Sequence, residues 1–439
     1  MTPRRRRWPA ALAAAGTLLT CPAVPLGVQP GPPHTAFTIA HAVVAGAGSA
    51  EPSAPQPAPF AAANRTALPA GCRPPPADAV AATTDAARLL HLDAVHRLAT
   101  GAGQTIAVVD TGVAPHPRLG TRLRGAGDLI ATAQGRSDGR TDCDGHGTAV
   151  AGLLAAAPGR ADDLVGMAPG ARLITIRQTG TGADGRPAGD VDSLARAVTL
   201  AVDAGATVVN LSEAACLTAE RAERDGAHLR AALRAATRRD VVVVAAAGNL
   251  GVGGCTGGAP AGEIALPGWF AEDVLTVGAS GPDGAPAAFT VPGPWVDVAA
   301  PGTGLRSLAA GGGLRGGLDG TSFATPWVAG LVALVRERFP ELTAAEVVDR
   351  VLATARRPAG GRDPLVGHGV VDPLAALTAV PARLRPDAPA GPRSAVLAGT
   401  EPVGAPAEPD PPVELLAVAA LAAAACSGVA ALRRRPDRS

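Results

Sequence analysis

Short, wholly apolar runs alternate with stretches of helical period through the middle of the chain. Residues 105–109 are continuous, β-branched and apolar, the pattern of a strand buried on both faces. Runs of the same kind at 173–176, 207–211, 241–247 and 274–277 predict four more strands. Between them, Val191, Leu194, Val198 and Ala201 share one helical face, with Gly205 following as a stop. Leu229, Ala232, Leu233 and Ala236 repeat that spacing. Strands and helices alternating at these lengths predict an α/β fold, with a mostly parallel central sheet and helices on both faces. Residues 323–335 read as a buried central helix with Pro326 in its first turn. Thr343-Ala-Ala-Glu346 is a capping box that opens a final helix through Ala355, and residues 367–372 close the core.

The two ends follow different patterns. Four arginines at positions 4–7 precede an apolar stretch, so residues 1–24 read as a signal peptide and export is expected. Residues 25–84 are rich in proline and alanine without a sustained period, which predicts an extended arm. The globular part spans 85–380, and a Pro-rich spacer covers 381–412. Residues 415–432 carry no charge and are followed by three arginines. That predicts a transmembrane helix with a basic cytoplasmic tail over 413–435, a single-pass protein of the cell membrane with its globular part outside.

Composition narrows the classes of partner. The chain has 39 basic and 38 acidic residues, so no bulk attraction to nucleic acid is expected. Six cysteines divide by position: Cys21 lies in the signal and Cys426 in the span, leaving Cys72, Cys143, Cys216 and Cys255. Four cysteines in an exported domain suggest two disulfides, with three pairings open. Cys143, Asp144 and His146 lack a second ligand cluster at zinc-like spacing, and no contiguous calcium loop occurs, so neither metal nor cofactor is expected.

Three distant islands share one chemical logic. Asp110 ends the 105–109 strand in Val-Val-Asp-Thr-Gly, His146 sits in Asp-Gly-His-Gly-Thr, and Ser322 sits in Gly-Thr-Ser-Phe-Ala-Thr-Pro. A hydroxyl is a weak nucleophile at neutral pH; it needs an imidazole to take its proton and a carboxylate to fix the imidazole's tautomer. Glycines flanking His146 let backbone approach closely, and a helix N-terminus at Ser322 favours developing negative charge. The chain order Asp, His, Ser is that of subtilisin. The sequence resembles the subtilisin-like serine proteases. Under that resemblance Asn249, at the end of Ala-Ala-Ala-Gly-Asn, supplies the oxyanion hole. Leu211-Ser212-Glu213-Ala214 resembles the strand that walls the primary specificity pocket, with Gly248 completing the substrate-binding set; Glu213 and Ala214 depart from the family's usual Ser-Leu-Gly.

The resemblance narrows to the mycosins, the membrane-anchored subtilases of type VII secretion systems. It rests on Cys72 in a Pro-rich arm, Cys143 just before the histidine, Asn-Leu-Ser-Glu-Ala-Ala-Cys216, Cys255 ahead of Pro267-Gly268-Trp269, the Gly293-Pro294-Trp295 segment and the C-terminal anchor. It implies pairings of Cys72 with Cys143 and of Cys216 with Cys255, the first tying the arm beside the histidine loop as a retained extension. It also implies a membrane-anchored serine endopeptidase that cleaves exported proteins. Its expected partners are peptide or protein substrates of type VII secretion, a secretion membrane complex and the bilayer. The rival expectation is a structural stabiliser of that complex, with proteolysis secondary.

Overall fold

The computed structural model describes residues 72–78, 82, 84–130, 137–160, 162–182 and 186–380. The expected signal peptide, most of the arm, the spacer and the C-terminal span lie outside the described residues. No helix among the described residues is long and apolar enough to cross a membrane.

Seven strands form the main sheet: β1 (Thr105–Asp110), β2 (Leu123–Asp128), β3 (Arg172–Arg177), β4 (Val208–Leu211), β5 (Val242–Ala246), β6 (Leu275–Ser280) and β7 (Val298–Pro301). Their order is β7-β6-β5-β4-β1-β3-β2, and every neighbouring pair is parallel. Parallel neighbours require crossovers, and the longer helices supply them or pack over them: α1 (His146–Ala155), α2 (Val191–Asp203), α3 (Ala227–Arg238), α4 (Thr321–Arg338) and α5 (Ala344–Thr354). Ile106 and Val108 face a core shared with α1 and α4, while Ala107 and Val109 face a second core shared with α2 and α3. With both faces covered, β1 needs no polar face, which explains its unbroken apolar run.

Strand β1 is also where the strand order reverses. The chain steps from β1 to β2 and β3 on one side, then crosses to β4 on the other. A crevice opens at the carboxyl ends beside such a reversal, and Asp110 is the last residue of β1.

Several details differ from the sequence expectations, each for a physical reason. Strands β2 and β7 were not predicted because both lie at sheet edges. Leu-Arg-Gly-Ala-Gly-Asp mixes glycines and a charge and shifts register at Gly125/Gly127, and Val-Ala-Ala-Pro is short and ends in proline. The helix opened by the capping box is not the last. A further turn, Pro373–Thr378, is capped by Asp372 and starts on proline.

Pro326 lies in the second turn of α4, because the helix begins at Thr321. A proline there cannot donate to the carbonyl four residues back, that of Ser322. The Ser212 hydroxyl donates to that carbonyl instead, at 2.7 Å.

Candidate active site

The end of β1 and the starts of α1 and α4 bring Asp110, His146 and Ser322 into one line. His146 Nδ1 lies 2.7 Å from Asp110 Oδ1, and His146 Nε2 lies 3.0 Å from Ser322 Oγ. Ionised Asp110 can only accept, so the imidazole proton sits on Nδ1 and Nε2 is left to accept from the Ser322 hydroxyl. Asp110 is fully buried and also accepts from the Thr111 amide at 2.7 Å. The His146 side chain keeps 29% of its surface exposed, and the Phe323 ring packs 5.0 Å from it.

The close approach depends on Gly147. A Cβ there would stand 3.0 Å from Asp110 Cβ and overlap the Gly112 carbonyl oxygen. Helix α1 has no side-chain cap from Gly145; the buried Asp142 takes that part. Its carboxylate accepts from Gly145 N (2.7 Å), Thr148 N (2.8 Å), Thr148 Oγ1 (2.6 Å) and Thr111 Oγ1 (2.9 Å). The Thr111 hydroxyl in turn accepts from Gly147 N at 3.0 Å, so the end of β1 and the start of α1 share one hydrogen-bonded network. Burial, despite those donors and with a smaller push from the Asp110 charge, lifts the Asp142 carboxyl to about 6.

For His146, burial opposes protonation, but the charge and hydrogen bond of Asp110, and then the Asp142 charge, outweigh it and raise the imidazole above its ordinary value. Arg315 opposes that rise.

Asn249 follows β5. Its Oδ1 accepts from Thr321 N and Thr321 Oγ1, both at 3.0 Å, which fixes the amide and turns Nδ2 the other way. Nδ2 and the Ser322 hydroxyl border the same spot: a Cβ built on Gly320 would lie 3.3 Å from Nδ2 and 3.0 Å from Ser322 Oγ. Gly248, in the left-handed region at φ 100°, donates its amide to Thr321 Oγ1 at 3.2 Å.

This geometry matches a known group of enzymes. The Subtilase family model covers residues 101–369. Mycosin-4 of Mycobacterium tuberculosis is 46% identical over 316 residues, spanning 66% of this chain and 68% of that protein. Mycosin-1 of the same organism is 41% identical over 380 residues, spanning 77% and 82%. The chain is a subtilase of the mycosin family. It is therefore a serine endopeptidase. Among solved structures, the MycP3 protease from the type VII (ESX-3) secretion system matches at 42% identity with a TM-score of 0.62, covering 70% of this chain and 91% of that one. A chain of the intact ESX-5 inner membrane complex matches at 34% identity with a TM-score of 0.63, covering 82% and 92%.

In this mycosin the residues of segment 211–214 divide their work. Ser212 holds the Ser322 carbonyl and accepts from Asn210 Nδ2 at 2.9 Å. The Leu211 side chain is fully buried in the core under α2 and α3. One carboxyl oxygen of Glu213 is buried without a hydrogen-bond partner; burial, and then the Asp110 charge, push this acid well above its ordinary range.

Both disulfides form as the resemblance implied. Cys72–Cys143 ties the end of the arm to the histidine loop, and Cys216–Cys255 ties the short strand Ala215–Thr218 to the loop after Asn249. The sequence reading missed Thr111, Asp142, Thr321 and Arg315. Asp142 stands four residues before His146, and Thr111 and Thr321 adjoin Asp110 and Ser322, so proximity to the islands was the one available signal.

Proposed function

We propose that this mycosin cleaves proteins exported by a type VII secretion system, with Ser322 as nucleophile. Ser322 Oγ attacks the scissile carbonyl while His146 Nε2 takes its proton. Buried Asp110 holds the Nδ1 proton and stabilises the imidazolium. The tetrahedral oxyanion accepts from Asn249 Nδ2 and the Ser322 amide. Collapse expels the amine, which leaves with the proton from His146, and water repeats the sequence on the acyl-enzyme. The backbone of 211–214 and Gly248 grips the substrate as an added strand. The single observation that carries this reading is the relay of 2.7 and 3.0 Å from Asp110 through His146 to Ser322.

In the same reading, residues 1–24 direct export, 25–84 form a retained extension, 85–380 form the peptidase, and 381–412 space it from a membrane span at 413–435. Ser322→Ala is expected to abolish peptide cleavage with no change in the melting transition; undiminished cleavage by that variant refutes the assignment.

A second reading is supported by the match to a chain of the ESX-5 inner membrane complex. Under it, the protein also stabilises a secretion membrane complex. Cells carrying Ser322→Ala are then expected to retain secretion that cells lacking the whole protein lose; equal loss in both leaves proteolysis as the sole contribution.

A further inference from the structure

A β-hairpin formed by Leu305–Leu308 and Leu314–Leu318 packs on α1, where the Ser307 hydroxyl donates to Ala149 O at 2.6 Å. The arm residues 72–78 run along it as a strap. Asp78 N donates to Leu314 O at 3.0 Å, Gly316 N donates to Asp78 Oδ1 at 2.9 Å, and Cys72 is bonded to Cys143. These ties hold the strand carrying Arg315 against the histidine loop. A Cβ on Gly145, the residue before His146, would stand 3.3 Å from Pro75 Cδ and 3.9 Å from Arg315 Nη1.

Arg315 is half-buried, yet among the described residues its guanidinium makes no ion pair and no side-chain hydrogen bond. None of the nearby carboxylates pairs with it among the described residues. Asp142 serves Thr111, Gly145 and Thr148, Asp144 Oδ1 accepts from Thr181 while its Oδ2 is buried without a partner, and Asp78 Oδ1 accepts from Gly316. A guanidinium beside the histidine loop with no carboxylate partner can take one from a ligand, and its planar fork of donors fits a carboxylate.

Its position decides which half of a substrate it meets. Asn249 and the 211–214 wall serve the acyl half, the side on which the oxyanion forms. His146 Nε2 hands its proton to the departing amine, so the departing segment passes the histidine loop, where Arg315 stands. We infer that Arg315 is a specificity residue that binds a carboxylate on the leaving-group half of the substrate, an aspartate or glutamate side chain shortly after the scissile bond. This rests on the proteolytic reading above.

The test uses peptides identical but for Glu, Gln or Lys at the first three positions after the scissile bond, each with a free or amidated C-terminus. The purified enzyme is expected to favour Glu over Gln by about tenfold in kcat/KM, the scale of one charge-assisted hydrogen bond. In Arg315→Ala the Glu/Gln ratio should collapse to about one, and in Arg315→Glu the preference should turn to Lys, each ratio being internal to one variant and so independent of its overall activity. A preference that follows the free C-terminus instead of the side chain overturns the side-chain assignment. Equal cleavage of all three peptides by the wild type overturns the inference while leaving the protease reading intact; no Ser322-dependent cleavage of any peptide overturns the reading beneath it. A second readout separates a role beside the imidazole from a structural one. His146 is faced by Asp110, Asp142 and Arg315, so removing the Arg315 charge should move the acid limb of kcat/KM for the Gln peptide to higher pH. A limb that stays in place counts against the placement.

Discussion

Replacing Asn249 with alanine tests the oxyanion site where the geometry is most specific. Thr321 fixes the amide through two hydrogen bonds at 3.0 Å, so Nδ2 is aimed before any substrate arrives. Removing one such preorganised donor is expected to lower kcat by about 10²–10³, or about 2.7–4 kcal/mol of transition-state stabilisation. KM should change little, because the charge that Nδ2 meets exists only after attack. The same substitution leaves the buried Thr321 amide without its acceptor, at a cost of about 1–3 kcal/mol in folding. Thr321→Val is the companion: it keeps Nδ2 but removes the hydroxyl that orients Asn249 and accepts from Gly248 N, so its kcat should fall between wild type and Asn249→Ala. Steady-state kcat and KM on a fluorogenic peptide, with a melting curve at the same pH, read all of these. A kcat for Asn249→Ala within roughly threefold of wild type, under about 0.7 kcal/mol, would refute the orientation argument.

Two further outcomes follow from the site and the strap. The base must be neutral to accept the Ser322 proton, and His146 is raised above its ordinary 6.5. Activity should therefore be lost as pH falls through a value above 6.5; a kcat/KM profile flat down to pH 6 contradicts the Asp110 contact. The Cys72–Cys143 link closes a separation of 71 residues, so Cys72→Ser with Cys143→Ser is expected to cost about 4 kcal/mol by the loop-entropy estimate. Denaturant unfolding that shows no loss would mean that the strap is held by its hydrogen bonds to Leu314 and Gly316 alone.

The sequence made the interior legible and the margins obscure. Strand β1 stood out because burial on both faces removes any polar alternation, and α4 stood out because it is buried on nearly every side. The edge strands β2 and β7 carry glycine, arginine and proline that a central strand would not tolerate, so no periodicity announced them. Asp110, His146, Asn249 and Ser322 were legible because glycine-rich turns bracket them. Asp142 and Arg315 were not: Asp142 is tied to Thr111 at the end of another element, and the strand carrying Arg315 is held in place by the strap through Leu314 and Gly316. The disulfide pairing could be read only through family resemblance, because spacing leaves three pairings equivalent.

The order in which these pieces are synthesised has its own consequence. Ser322 follows His146 by 176 positions, and α4, which carries it, packs against four central strands made before it. A nascent chain emerging from the ribosome thus holds the acid and the base long before any nucleophile exists to complete them. Until the last third is made and α4 seats, the growing polypeptide has no means to hydrolyse its neighbours or itself.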